Sequence, residues 1–491
     1  MDDEPIVVIG SGPCGAMAAA TLVDRGLEVL LLDAGQRAPR GLIVKAAGNT
    51  LIRRMGWAEY STDRQDPATD PGIDWVSSLS LGGLSNYWTA AVPRFAAQDF
   101  TDGARLDERY RWPVGYDDLS PYYERAERAL TVTAGDPING VPPNVARFRY
   151  QLPQQWRKLA ATAQRHGHGV GAMPMAKGHP WMVARRGTEF SSYHCVIEPL
   201  LGSTRFQLRA GARALRLDWS APSGRVQAVE VLDAITRARD TVRARAVVVA
   251  AGAIDSTVLL LRSTSDDFPA GLGNTHGLVG RYLHDHPREW WLAVPAQPLP
   301  ALAHPVYVAR RDHDRSGPLT GASLTLGLST RAERLRTYYG GRSSAIGVQV
   351  FGTMVPTDDV GVRLAGPADD PATRPLISLR YDDAAVATLL AARQRLPEVF
   401  ADAGMTLTLP GPFHELRPGS SVHYGGSVRM HTDPRHGVLD ASNRVHDARN
   451  VVVCDSSSFT TGPEKNPTLT AMALAARAAD LLADDLAAGV L

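Results

Sequence analysis

The run Gly10-Ser11-Gly12-Pro13-Cys14-Gly15 fits the spacing G-x-G-x-x-G. Glycines at those positions permit a sharp turn, close approach of a pyrophosphate to the backbone, and tight packing of the helix that follows. The N-terminus of that helix faces the phosphates. Asp33 comes 23 residues after Gly10, where a carboxylate at the end of the next strand accepts hydrogen bonds from adenosine ribose hydroxyls. Gly10, Ser11, Gly12, Pro13, Gly15, Asp33 and its neighbour Ala34 therefore predict a dinucleotide site. Other chemically capable residues form weaker patterns. His284-Asp285-His286 puts two imidazoles at i and i+2, on one side of an extended chain, but without a third ligand nearby no metal site is expected. Cys14, Cys195 and Cys454 are too few and too scattered for a disulfide framework or a cysteine zinc site, and are expected to be small buried residues.

The elements needed to hold a dinucleotide are readable around the motif. Ile6–Ile9 is a β-branched strand, Ala16–Arg25 a helix stopped by Gly26, and Leu27–Leu32 a continuous apolar run of the kind buried on both faces of a parallel sheet. Residues 36–80 lack periodicity and read as a long surface excursion or a lid. A turn and helix span Trp112–Leu130, and residues 131–147 read as a linker. Phe206–Asp218, Val226–Leu232 and Thr241–Val249 read as three strands, the last leading through Ala251-Gly252 into a helix from Ser256 and back to the first sheet. Beyond Pro287, Trp290–Val294, Val306–Arg310, Ala322–Leu328, Ala345–Met354 and Leu376–Tyr381 predict an antiparallel sheet, with a helix from Asp383 to about Ala403 on one face. Of Trp290 and Trp291 at most one can offer a stacking face to a ligand, since adjacent strand residues point opposite ways, and core packing is expected. A strand at Asn450–Cys454 and an amphipathic helix from Pro467 to about Ala487 end the chain.

A length of 491 residues favours two domains, or one large domain with a substantial insertion. The expected class is α/β: a Rossmann-type dinucleotide domain, discontinuous in sequence, plus a second domain built on an antiparallel sheet covered by helices. With 52 Lys+Arg against 51 Asp+Glu the chain carries no electrostatic footprint for nucleic acid or an anionic membrane. No apolar run approaches the roughly 20 residues of a membrane span, and the N-terminus does not read as a signal peptide. A cytoplasmic enzyme acting on a small molecule is expected.

The glycine motif alone does not separate FAD from a nicotinamide. Ala246–Ala250, ending in Ala251-Gly252-Ala253, resembles the second signature of flavin-oxidase FAD domains, and the C-terminal strand and helix complete the same site, which favours FAD. Nearly the whole chain is similar to the glucose–methanol–choline (GMC) oxidoreductases. The matching segments are IGSGPCGAMAA, GGLSNYWTAAVPRF from Gly82, WPVGYDDLSPYYERAE from Trp112, AAGAIDSTVLLLRS from Ala250, GLGNTHGLVGRYLHDHP from Gly271, HYGGSVRM from His423 and NPTLTAMALAARAADLL from Asn466. The motifs look closest to pyranose oxidase and related bacterial sugar oxidoreductases. The resemblance implies an FAD domain at residues 1–130, 197–285 and 418–491 and a substrate domain at 131–196 and 286–417. It also places Gly82, Gly83, Ser85, Asn86, Thr89, Ala214, Ala251, Gly252, Asp455, Ser456, Asn466, Pro467 and Thr468 against the cofactor. Fungal pyranose oxidases have a flavin-linked histidine immediately before the tryptophan of the second segment. Here that residue is Tyr87, so FAD should be non-covalent, and Tyr87 is a candidate substrate contact.

The resemblance further implies oxidation of an alcohol on a sugar, glycoside, amino sugar or related polyol by hydride transfer to flavin N5, with oxygen or another acceptor reoxidising the flavin. Hydride loss from an alcohol requires the hydroxyl proton to leave, and histidine, with an unperturbed pKa of about 6.5, suits that task. By the resemblance His423 is this base and Asn466 orients the substrate oxygen. Gly425 and Gly426 are expected to leave room for flavin or substrate. Without the resemblance His423 reads equally as a core histidine, and Asn466-Pro467 as a helix cap. His431, His436 and His446 are expected to be structural or exposed. Glu464, in the loop before Asn466, is a candidate for pairing with the ammonium of an amino sugar; pairing with an arginine such as Arg429, or simple solvation, is the alternative. A flavin-containing lyase on the same fold, or a non-sugar alcohol oxidase or dehydrogenase, is the competing activity.

Overall fold

A computed structural model describes residues 4–38, 73, 75–178, 190–300, 302, 304–309, 322–326, 342–343, 345–408 and 416–491. The excursion expected over 36–80 lies mostly outside these residues.

Four apolar runs far apart in sequence assemble one sheet. Ile6–Ile9 pairs in parallel with Val29–Asp33 on one side and Ala246–Val249 on the other. Ala448–Val453 joins the far side of Ala246–Val249. Phe206–Ala210 closes one edge in parallel, and the short antiparallel Arg444–Val445 closes the other. The inner strands Ile6–Ile9, Val29–Asp33 and Ala246–Val249 are apolar almost throughout because both faces are covered. The covering layers are the helices Pro13–Asp24 and Thr468–Ala487 and a three-stranded antiparallel sheet of Ala212–Ser220, Arg225–Asp233 and Arg239–Arg243. The last helix is fastened to the first by Arg25, which pairs with Asp480 and Asp484. Asn450 stitches the central sheet to the three-stranded one by accepting from Val226 N at 3.1 Å and donating to Val226 O at 2.7 Å. This is a Rossmann-type architecture, with its glycine turn at the carboxyl end of the first strand.

A second sheet runs in the order Met405–Thr408, Arg288–Pro295, Ile346–Gly352, Ala322–Leu326, Val306–Val308, Val170–Ala172, every neighbour antiparallel. Helices Gln154–Arg165 and Asp383–Asp402 share a core with one of its faces. Trp291 and Ala293 point into that core, whereas Trp290 is 49% exposed, so only one of the two tryptophans packs as expected. The opposite face looks toward the C-terminal loop. Its Ser323 hydroxyl donates to Glu464 O at 2.8 Å, and its Phe351 ring lies 5.0 Å from the His423 ring. The second sheet thus forms a wall of the site.

Three strand expectations are corrected. Phe206–Asp218 is two strands in different sheets, because Gly211 turns the chain at φ +70°. Thr241–Val249 likewise divides: polar Arg239–Arg243 closes the three-stranded sheet, and only Ala246–Val249, buried throughout, enters the central one. Leu376–Tyr381 does not join the large antiparallel sheet. Pro375–Ser378 forms its own hairpin with Gly361–Leu364, beside the helix Ala253–Arg262.

Candidate active site

The glycine turn shows three different uses of the same residue. A Cβ on Gly10 would stand 2.4 Å from Ala250 O, and one on Gly15 would stand 1.9 Å from Gly10 O, so both are required by packing. A Cβ on Gly12 would meet nothing within 4 Å. Gly12 therefore borders open space at the start of a helix with Pro13 in its first turn and no side-chain cap, where free backbone N–H groups suit a phosphate. Gly252, at φ +90°, is also unobstructed, and Gly83 approaches only Gly12, at 3.6 Å. The cradle fits a dinucleotide cofactor.

Most polar side chains expected at the cofactor are engaged in building this cradle. Asp33 accepts from Ser11 N at 2.7 Å, Ser11 Oγ at 2.6 Å and Gly35 N at 2.6 Å. Burial raises its pKa while these hydrogen bonds oppose the rise. Gly82 N donates to Ser11 Oγ at 2.8 Å. Ser85 Oγ donates to Gly82 O, and Asn86 donates to Leu81 O and Ser80 Oγ. Ala34 is half-buried, Thr89 exposed, and Ala214 sits on the strand Ala212–Ser220, which starts where Gly211 N donates to Gly35 O. Asp455 accepts from Gly252 N, Ser256 and Ser457, so its carboxylate ties the second signature to the C-terminal strand. Ser456 Oγ donates to Tyr424 O at 2.7 Å, extending the scaffold to the His423 loop. Ser191 and Ser192 escaped the sequence reading. They bond Asn86 Oδ1, Ser85 Oγ and Ser11 O, clamping both glycine loops, yet no motif surrounds them.

The structure brings His423 and Asn466 together. Asn466 Nδ2 lies 3.0 Å from His423 Nε2, and both residues keep some exposed surface. Pro467 and Thr468 begin the last helix directly behind them. Burial, then His286 and Arg288, pushes the His423 pKa well below its ordinary value, which favours the neutral ring. Asp285 holds the loop beneath it, accepting from His423 N at 2.8 Å and Ser421 N at 3.3 Å, with the Ser421 hydroxyl also bonded to it. Between those anchors Val422 adopts φ +59°, an unfavourable conformation for a β-branched residue. The His284-Asp285-His286 stretch thus supports the loop, and among the described residues no cluster suited to a metal ion occurs.

The expected purpose of Gly425 and Gly426 is corrected. A Cβ on Gly425 would stand 2.4 Å from His284 Nε2, and one on Gly426 would stand 2.2 Å from Tyr282 O. These glycines make room for buried His284 and the Tyr282 carbonyl. Glu464 is neither solvated nor paired with Arg429, whose guanidinium carbon stacks 3.5 Å from the Tyr282 ring centroid. It is buried and pairs with Lys465 at 3.2 Å, and Lys465 reaches Asp99 at 2.7 Å. Tyr87 is half-buried. His431 and His446 are structural: His431 bonds Glu108 O, and His446 bonds His431 O.

The glycine turn and the Asp455-tied second signature define a dinucleotide-binding fold. Comparison with known proteins agrees: residues 81–288 and 356–475 match the GMC oxidoreductase family, and residues 8–43 match an NAD(P)-binding Rossmann-like domain. The chain belongs to the GMC oxidoreductase family, whose enzymes carry FAD. It is 32% identical to paromamine 6'-oxidase of Streptomyces fradiae, over 98% of this chain and 91% of that protein. It is also 32% identical to 6'''-hydroxyparomomycin C oxidase of Streptomyces lividus, over 98% and 92%. Fructose dehydrogenase large subunit of Gluconobacter japonicus is 25% identical over 99% and 98%. The crystal structure of pyridoxine 4-oxidase from Mesorbium loti shares the fold, with a TM-score of 0.70, 21% identity and coverage of 98% and 99%. No helix among the described residues is long and apolar enough to cross a membrane.

Proposed function

We propose that this enzyme oxidises a CH–OH group of an amino sugar or a related glycoside to a carbonyl, with His423 as base and Asn466 orienting the reacting oxygen. The observation that carries the reading is the 3.0 Å approach of Asn466 Nδ2 to His423 Nε2. FAD, when bound, supplies the hydride acceptor. His423 Nε2 takes the hydroxyl proton as the carbon loses hydride, and the Asn466 amide donates to the same oxygen, limiting the orientations from which the C–H bond can react. Residues 1–130, 197–285 and 418–491 then form the FAD unit, and 131–196 and 286–417 the substrate unit. Anaerobic bleaching of the flavin by substrate tests the redox reading. A substrate converted with no bleaching would instead indicate a lyase.

An amino sugar is favoured by the relatives named paromamine 6'-oxidase and 6'''-hydroxyparomomycin C oxidase and by the place of Glu464 two residues before Asn466. Glu464 is buried beside Lys465, which also reaches Asp99. A substrate ammonium reaching Glu464 would add a charge-assisted hydrogen bond worth roughly 1.5–3 kcal/mol. Glu464→Gln should lower the preference for an amino sugar over its hydroxyl analogue by about tenfold or more. An unchanged ratio removes Glu464 from substrate recognition.

Tyr87 stands where a covalent flavin link would form in pyranose oxidases, and a phenol is not expected to form it. Acid precipitation of the yellow protein should therefore release intact FAD into the supernatant. Flavin that stays in the pellet would overturn non-covalent binding.

A further inference from the structure

We infer that His286 is a positioning residue that sets the tautomer of His423, so that the base presents a bare Nε2 to the substrate oxygen; this rests on the reading of His423 as base. His286 is 2% exposed, and its Nδ1 lies 3.0 Å from Nδ1 of His423. Two imidazole nitrogens at that distance share a single proton, and the question is which ring owns it. The other end of His423 decides. Asn466 Nδ2 lies 3.0 Å from His423 Nε2, and an amide nitrogen can only donate, so this Nε2 accepts and the single proton of a neutral His423 sits on Nδ1. Nδ1 of His286 then accepts it, which places the proton of His286 on its own Nε2.

Burial above all, with His284 adding to it, pushes the His286 pKa down to about 3. The ring is therefore neutral and owns one proton, on Nε2. Its Nδ1 is an acceptor, and Nδ1 of His423 is the donor. His423 is neutral as well, which leaves its Nε2 unprotonated and facing Asn466. The Asn466 amide nitrogen at 3.0 Å is the donor such a lone pair accepts. When substrate enters, its O–H bond breaks, a bond forms to His423 Nε2, and the new imidazolium already has its Nδ1 proton bonded to His286. The carbon's hydride leaves to the cofactor, which balances the step. Neighbouring Asp285 fixes the His423 backbone, so two consecutive residues hold both the loop and the ring. Phe351, with its ring 5.0 Å from His423 and 5.9 Å from His286, packs against both.

The direct test reads the tautomer. In holoenzyme labelled with 15N-histidine, long-range proton–nitrogen correlations should show His423, assigned by its loss in His423→Gln, protonated at Nδ1 and bare at Nε2. A His423 protonated at Nε2 overturns the inference. Two variants extend it. His286→Phe keeps bulk without an acceptor and should slow flavin reduction at saturating substrate by about tenfold to a hundredfold, with substrate Kd moving less than about threefold and FAD retained. His286→Asn restores an acceptor near the old Nδ1 and should recover most of that loss. Reduction by His286→Phe within about threefold of wild type, or His286→Asn no faster than His286→Phe, sinks the relay. Should His286→Phe not fold, the wild-type tautomer still decides. Full activity in His423→Gln would refute the base assignment instead, and the tautomer signal distinguishes the two failures.

Discussion

His423→Ala is expected to purify with FAD bound and to lose anaerobic flavin reduction by about two to four orders of magnitude, the usual worth of a positioned general base. The cofactor should remain because the side-chain contacts of His423 are with Asn466, His286 and Phe351, none of which shapes the glycine cradle. Asn466→Ala should lose less, since it removes one orienting hydrogen bond and leaves the proton acceptor intact. The sign of the pH dependence follows from the environment. Burial lowers the His423 pKa, so wild-type reduction should be level through neutral pH and fall only as pH drops through that depressed value. Stopped-flow traces decide the matter. Wild-type rates in both variants would move the chemistry elsewhere.

The second large effect separates two glycines of one motif. Gly12 has φ −61°, open to any residue, and no protein atom within 4 Å of a Cβ placed there. Gly12→Val should therefore fold with a normal circular dichroism spectrum yet come off the column colourless, its FAD affinity down by at least about a hundredfold, or about 2.8 kcal/mol. Gly15→Ala meets a different obstacle, because its Cβ would stand 1.9 Å from Gly10 O. That contact cannot be relieved without opening the strand–helix turn, so the variant should fail to accumulate as soluble protein. A yellow Gly12→Val protein with wild-type affinity would mean that the open space beside Gly12 is not the cofactor's.

By itself the sequence determined what depends on neighbours a few residues apart. The strand–glycine turn–helix at Ile6–Asp24, the buried apolar strands and the amphipathic last helix are short-range patterns, and the chain shows them plainly. The family resemblance carried His423 and Asn466, which no periodicity singles out. Tertiary closure decided the rest. Asp285 and His286 stand 138 and 137 residues from His423 and read as a failed metal motif until the fold sets them beneath its loop. Ser191 and Ser192 clamp the glycine loops from over a hundred residues away. The glycines after Tyr424 yield to His284 and the Tyr282 carbonyl, and Glu464 finds Lys465 and, through it, Asp99, 366 residues from that lysine. Hydrogen bonds, ion pairs and close contacts are set by distance in space, and one-dimensional spacing constrains such distances only along a single strand, turn or helix.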